Sequence, residues 1–279
     1  MNQRKDSLVF QVFTYAVLIV FIFIAIYPIL RMISISLRPN DRLLSTSLAL
    51  IPDGATLKAY KTLLFERPFL RWLGNSLLVT GAVTILGVTL ASMAGYAFSR
   101  FKFFAKQPIM LSLLVTQMFP PTMLLLPTFL LLAQLRLVNS FFGLMIVYTA
   151  TALPFCIWQM KGFYDTIPHS LEEAALIDGA TPFQAWRMVI LPLAAPALVI
   201  TALFSFMSAW SEYVVAAQIL IDVNKYTLPL GLKMFQASMG TEWAIFAAAS
   251  TLISIPVMVL FLMLSKWLIS GLTLGSVKE

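Results

Sequence analysis

Charge is what this sequence has least of: nineteen basic and twelve acidic side chains make up only 11% of its 279 residues. A soluble domain of this length carries roughly a quarter of its residues as charges, so a water-solvated globule is excluded at the outset. One cysteine, Cys156, rules out an internal disulfide and a multi-cysteine metal site, and one histidine, His169, offers no second imidazole for a metal centre. There is no glycine-rich nucleotide loop ending in Lys-Ser or Lys-Thr, no HExxH and no GxSxG, so no catalytic residue and no metal ligand is assigned. The net charge of +7 comes without any stretch of five or six clustered basic residues, which excludes a nucleic-acid partner. No soluble domain, internal repeat or low-complexity tract is visible either.

What remains is apolar: 60% of residues are hydrophobic and the mean hydropathy is +0.89. Uncharged runs cover residues 7–30, 72–99, 107–135, 137–160, 188–211 and 243–265. A hydrocarbon core about 30 Å thick takes about 20 helical residues, and each run is longer than that. Transmembrane strands would be about 10 residues of alternating polarity, which these runs are not. The sequence predicts an all-α membrane protein, one domain over 1–279, with six spans over 8–31, 73–99, 108–134, 139–161, 192–221 and 243–266. The charges fall at the ends of these runs, where they anchor helices among lipid headgroups. Arg4 and Lys5 before the first run resemble the start of a signal peptide, but the run continues for 24 residues, past the 7–15 of such a signal, and is expected to stay as a span. An even number of spans puts both termini on one side. Lysine and arginine divide nine against ten between the sides, so charge alone does not choose; the short basic loop 100–106 favours termini inside.

Within the spans, Gly87, Ala91 and Gly95 recur every four residues, as close helix packing requires. Pro120, Pro121 and Pro127 remove backbone donors and should bend the third span, either as a plain kink or where it lines a pathway. Glu212, beside Trp210 and Tyr213, is a charge inside a hydrophobic region and should face the bundle interior or a watery cavity. Between the first two spans, a short amphipathic helix from Thr56 is expected to carry Leu57, Tyr60 and Leu64 on one face. Residues 222–242 form a polar and aromatic loop on the same side.

The loop over 162–191 has the strongest local signals. Ser170 followed by Glu173 reads as a capping box, with Glu172 also placed in the first turn, where negative charge complements the helix dipole. Asp178-Gly179 ends that helix. Thr181, Pro182 and Gln184 start a second one, again with a capping box, and Leu191-Pro192 closes it. Alanines 174 and 175 give the first helix a smooth face, and Phe183 with Trp186 gives the second an aromatic edge. A loop that only connects two spans needs no such ordering. It is expected to dock a soluble partner, the competing reading being a helix lying in the headgroups.

Glu173-Ala174-Ala175, three residues, Gly179, nine residues, then Val189-Ile190-Leu191-Pro192 resembles the cytoplasmic "EAA" loop of permeases of bacterial ATP-binding-cassette importers, which has Ile in place of Val189. The resemblance extends over nearly the whole chain and looks closest to the second permease subunit of maltose-type carbohydrate importers, through Gln117-Met118-Phe119-Pro120, residues 171–180, 222–228 and 267–278. It implies the importer permease fold with cytoplasmic termini in the bacterial or archaeal inner membrane. It also implies a second permease subunit, two ATPase subunits that bind ATP and magnesium, and an extracytoplasmic solute-binding protein, with no cofactor on this chain. By resemblance, Ser170, Glu172, Glu173, Ala174, Ala175, Gly179, Thr181, Phe183, Trp186, Leu191 and Pro192 would meet the ATPase. Gly275 and Lys278 would lie in a tail between the ATPase subunits, and Asp222, Asn224 and Tyr226 in a loop facing the binding protein. Gln117, Trp210, Glu212 and Tyr213 would lie at the pathway or at the interface between the two permeases. The cargo implied is maltose, maltodextrin or a related oligosaccharide, the alternatives being trehalose or glycerol phosphate. A secondary transporter is the rival class; Glu212 is its only acidic coupling candidate, and no inverted repeat supports it.

Overall fold

The computed structural model describes residues 8–39, 49–236 and 240–274, and every regular element among them is helical. Among the described residues, four helices are long and apolar enough to cross a membrane unbroken: Leu8–Ser36, Phe69–Arg100, Phe141–Tyr164 and Trp243–Trp267. Two bent pairs meet the same test, Lys106–Met118 with Pro121–Gln134 at 98° and Pro182–Leu193 with Ala195–Trp210 at 78°, so the spans number six when each pair counts as one. The chain divides into two compact units, one formed by Met1–Phe69 with Leu232–Ser254 and the other by Leu70–Gly231 with Ile255–Glu279.

In the first unit, α1 (Leu8–Ser36) exposes nearly every side chain over residues 8–29. A helix that is apolar all round is stable only in a non-aqueous surrounding, which a bilayer supplies. Its last turn changes character: Ser34 and Ser36 are buried, and Ser36 shares a 2.7 Å hydrogen bond with the Tyr60 hydroxyl. Tyr60 belongs to α2 (Lys58–Phe65), which buries Ala59 and Leu63. The sequence expectation of a face made by Leu57, Tyr60 and Leu64 is displaced by one position. Leu57 precedes the helix and is exposed, because the first turn starts at Lys58. Arg67 holds both carboxylate oxygens of Glu242, at 2.7 and 3.0 Å, in a pair that stays largely exposed.

The second unit is built around α3 (Phe69–Arg100). It also holds α4 (Lys106–Met118), α5 (Leu125–Gln134), α6 (Phe141–Tyr164), the short α7 (His169–Ile177), α8 (Pro182–Ala185) and α9 (Leu191–Leu193), then α10 (Ala195–Trp210), α11 (Val214–Ile219) and the start of α12 (Leu228–Lys233). The final helix, α13 (Trp243–Leu274), begins in the first unit and ends in the second. Two apolar clusters fill the second unit. One surrounds the C-terminal half of α3 with Tyr96, Cys156, Met160 and Tyr164, and the other its N-terminal half with Val79, Val83, Leu144 and Tyr148.

The small-residue stripe does what its spacing predicts. A Cβ on Gly95 would lie 2.7 Å from Met160 Cβ and 2.9 Å from the Lys161 amide nitrogen, and one on Gly87 would lie 2.8 Å from Ser205 Oγ. α3 therefore touches α6 and α10 at near-backbone distance, the packing that membrane helices rely on where no hydrophobic drive separates helix from lipid. Gly95→Leu is expected to cost about 1–3 kcal/mol by overpacking. It should appear as a lowered Tm in detergent, whereas Gly74→Leu, where an added Cβ meets nothing within 4 Å, should leave Tm unchanged.

Of the prolines expected to bend the third span, Pro120 and Pro121 do so. α4 ends at Met118, a 3-10 turn covers Pro121–Leu124, and the direction changes by 98° before α5. Pro127 sits in the first turn of α5, where a missing backbone donor has no intrahelical partner to lose, and it leaves that helix intact.

Candidate functional site

The segment between α6 and α10 forms a pair of short helices with defined stops. α6 closes on Asp165, whose carboxylate accepts from Lys161 Nζ at 2.6 Å and from Ser99 Oγ at 2.7 Å. Burial pushes that carboxyl upward, but the Lys161 and Ser99 hydrogen bonds and the charges of Lys161 and Lys106 outweigh it and hold its pKa below the ordinary value. α7 starts at His169 with Pro168 in the capping position and no side-chain cap. The expected box between Ser170 and Glu173 is not formed: Pro168 starts the helix early and places Ser170 inside its first turn, past the capping position. Glu172 instead turns back to α3, accepting from the Tyr96 hydroxyl and from Arg100 Nε, the latter at 2.9 Å.

The stop of α7 is a complete Schellman motif. Gly179 N–H donates to Leu176 O and Ala180 N–H to Ala175 O, with Gly179 at φ +88. Thr181 then forms the capping box read from the sequence: Gln184 N–H reaches Thr181 Oγ1 at 3.3 Å and Thr181 N–H reaches Gln184 Oε1 at 2.8 Å, with Pro182 in the first turn. After α8 the chain takes one π turn over Trp186–Ile190 and runs through Pro192 to Leu193. Leu191-Pro192 was expected to close this helix; the wide turn before the proline accommodates its missing donor, and the bend falls at Ala194.

No residue of α7 is buried. Leu171, Glu173, Ala174, Leu176, Ile177, Thr181, Phe183 and Met188 are exposed, Ile177 by 85% and Phe183 by 60%. Of the predicted aromatic edge, Phe183 points outward. Trp186 is half-buried against the Tyr96 ring at 6.1 Å. The segment is thus a pre-ordered knob with an apolar tip, fastened at its base by Glu172 and Trp186.

Glu212 is engaged within its own chain. Its Oε2 accepts from the Tyr148 hydroxyl at 2.6 Å and the Ala216 amide at 3.2 Å, and its Oε1 accepts from the Val215 amide at 2.8 Å. It restarts the chain after α10 by satisfying the first donors of α11, where negative charge also meets the helix dipole. Trp210 is buried and stacked on Phe206 at 5.3 Å, Tyr213 is half-buried, and Gln117 is exposed near the end of α4. Glu212→Ala is expected to cost about 1.5–3 kcal/mol, the range for hydrogen bonds to a charged group. The readout is a lowered Tm in detergent with cargo preference unchanged.

Asp222, Asn224 and Tyr226 are likewise tied down. Asp222 caps the 3-10 turn Val223–Lys225, and Asn224 Oδ1 accepts from Arg71. Asn75 Nδ2 donates to the carbonyls of Asn224 and Tyr226 at 2.8 and 2.9 Å, and Trp72 Nε1 to that of Val223 at 2.9 Å. Sequence reasoning missed Tyr96, Arg100, Tyr148 and the cluster Arg71–Ser76, all of which act on partners more than sixty residues away. Gly275 and Lys278 lie outside the described residues.

Residues 87–273 match the family of binding-protein-dependent transport system inner membrane components. This chain belongs to that family. The match takes in α6 to α11 whole, including the knob and the Glu212 cap, so the permease carries both inside its family core. It is 36% identical to the maltose/maltodextrin transport system permease protein MalG of Vibrio vulnificus strain YJ016, over 99% of this chain and 98% of that one. It is 35% identical to MalG of Escherichia coli K12, over 100% and 99%. A chain from the crystal structure of a bacterial ABC transporter involved in import of the acidic polysaccharide alginate superposes with a TM-score of 0.81 at 24% identity, covering 96% of this permease and 99% of that chain. That likeness shows the importer permease fold, and the family match with the apolar helices makes the chain a multi-pass membrane protein.

Proposed function

We propose that this permease is the second membrane subunit of an ATP-driven carbohydrate importer that takes up maltose, maltodextrin or a related oligosaccharide across the cytoplasmic membrane. The observation that carries the reading is the knob over α7 and α8: a helix pair with matched stops and an exposed apolar tip, inside a family defined by dependence on a binding protein. Relatives at 35–36% identity over essentially the whole chain are maltose/maltodextrin permeases, which supports the cargo class.

In this reading the termini and the knob face the cytoplasm. Leu171, Glu173, Ala174, Ile177 and Phe183 sit in a cleft of an ATPase subunit, and this chain performs no chemistry. Two ATPase subunits bind ATP and magnesium and close on them. Their displacement enters the spans as a rigid-body movement, because the Schellman stop and the capping box leave little slack to absorb it. A second permease completes the passage, since six helices from one chain seldom enclose a route for a sugar, and an extracytoplasmic binding protein delivers the cargo.

The test is reconstitution with an ATPase, a second permease and a binding protein from the same source, followed by ATP hydrolysis across a panel of maltose, maltotriose, trehalose and glycerol phosphate. Stimulation by loaded binding protein, greatest with maltose or maltotriose, is expected. Cargo movement by this chain alone in liposomes without ATP would overturn the reading.

A further inference from the structure

α7 has no buried residue, so hydrophobic packing does not hold it to the spans. What holds it is polar. The side chain of Arg100, in the last turn of α3, is 4% exposed; its Nε donates to Glu172 Oε2 at 2.9 Å, its Nη2 to the Ile167 carbonyl at 2.9 Å and its Nη1 to Ser99 Oγ at 3.2 Å, with His169 Nε2 at 3.5 Å. Tyr96, one turn earlier, donates to the other oxygen of Glu172, and Ser99 to Asp165. A buried guanidinium paired with a mostly covered carboxylate resists separation, because pulling the carboxylate away leaves the Arg100 charge without solvent.

The other end of α3 is bonded as densely. Arg71, Trp72 and Asn75 donate to Asn224, Val223 and Tyr226, and Ser76 Oγ accepts from the Leu228 amide at 2.7 Å. The two sets sit at opposite ends of the 32-residue α3, a rod of about 48 Å at 1.5 Å per residue. Gly87 and Gly95 let it lie directly against α10 and α6.

We propose that α3 is the rod that carries displacement from the ATPase-docking helix α7 to the segment 222–228 at its far end, and that Arg100 is the positioning residue that clamps α7 to it. The proposal rests on the importer reading above. It makes Glu172 a member of the clamp, leaving Glu173 and the apolar tip to meet the ATPase. A slack joint at Arg100 would let α7 follow the ATPase while the spans stay behind, separating hydrolysis from transport.

The experiment uses the reconstituted complex with ATP, binding protein and maltose, comparing wild type with Arg100→Gln, Glu172→Gln and the exchanged pair Arg100→Glu with Glu172→Arg. Hydrolysis and maltose uptake are measured together, with hydrogen exchange of residues 222–228 with and without ATP. Arg100→Gln and Glu172→Gln are expected to keep the ATPase subunits bound and to hydrolyse ATP, while maltose moved per ATP falls at least about ten-fold. The exchanged pair should recover part of that ratio, and ATP should alter exchange at 222–228 in wild type but not in Arg100→Gln. Full uptake per ATP in Arg100→Gln would overturn the clamp while leaving the importer reading intact. If the single variants do not assemble, wild type decides: no ATP-dependent exchange change at 222–228 overturns the rod. A wild-type complex without stimulated hydrolysis overturns the importer reading and the rod with it.

Discussion

Gly179→Val is expected to lose most transport, while Gly179→Asn keeps most of it. A Cβ at this position meets nothing within 4 Å, so crowding is not the constraint; the constraint is φ +88. Left-handed backbone costs a β-branched L-residue about 1–2 kcal/mol or more, whereas asparagine visits it readily. A penalty of about 1.4 kcal/mol depopulates the native turn roughly ten-fold. The alternative turns would redirect α8 relative to α7 and absorb the ATPase stroke. Uptake and stimulated hydrolysis measured side by side check this, with uptake falling further than hydrolysis in Gly179→Val. Equal loss in the valine and asparagine variants would show that the position is needed for its lack of a side chain and not for its backbone.

Ile177→Glu together with Phe183→Glu should release the ATPase subunits. These are the most exposed apolar side chains on the two helices of the knob. Burying each against a partner would contribute about 1.5–3 kcal/mol, and placing carboxylates there removes that gain and adds a desolvation cost. An affinity loss of about a hundred-fold or more follows, read as ATPase subunits missing from the purified complex while the second permease remains. The permease itself should nearly keep its Tm, since both side chains are largely exposed and the ring contact of Phe183 with Trp186 is the one internal contact given up.

How far the sequence revealed this depended on the range of each interaction. The six apolar runs, the small-residue stripe at Gly87, Ala91 and Gly95, the Gly179 stop and the Thr181–Gln184 box all depend on residues within a few positions of one another, and all are legible. The Ser170–Glu173 box satisfied the same local rule and failed because Pro168 started the helix first. The face of α2 was misplaced because Leu57 lies outside the helix and the buried pair, Ala59 and Leu63, sits one position from Tyr60 and Leu64, about 100° around the axis.

Glu212 and Glu172 were harder for a different reason. A carboxylate in a hydrophobic region announces a partner but does not name it, and the partners, Tyr148 at a separation of 64 and Arg100 at 72, become neighbours only when α6, α3 and the loop assemble. Arg100 counts in the sequence as one more positive charge in a short loop. Its clamp is a property of the packed bundle.

Labelling at Ile177 reports directly on whether the knob meets an ATPase subunit in the cytoplasm, because the chain's lone cysteine, Cys156, is buried. In a Cys156→Ser background, Ile177→Cys is offered a membrane-impermeant maleimide in intact cells and in inverted membrane vesicles. Labelling is expected only in inverted vesicles, blocked when the ATPase subunits are bound and restored when they are stripped away. Labelling in intact cells, or labelling indifferent to the ATPase subunits, would contradict it.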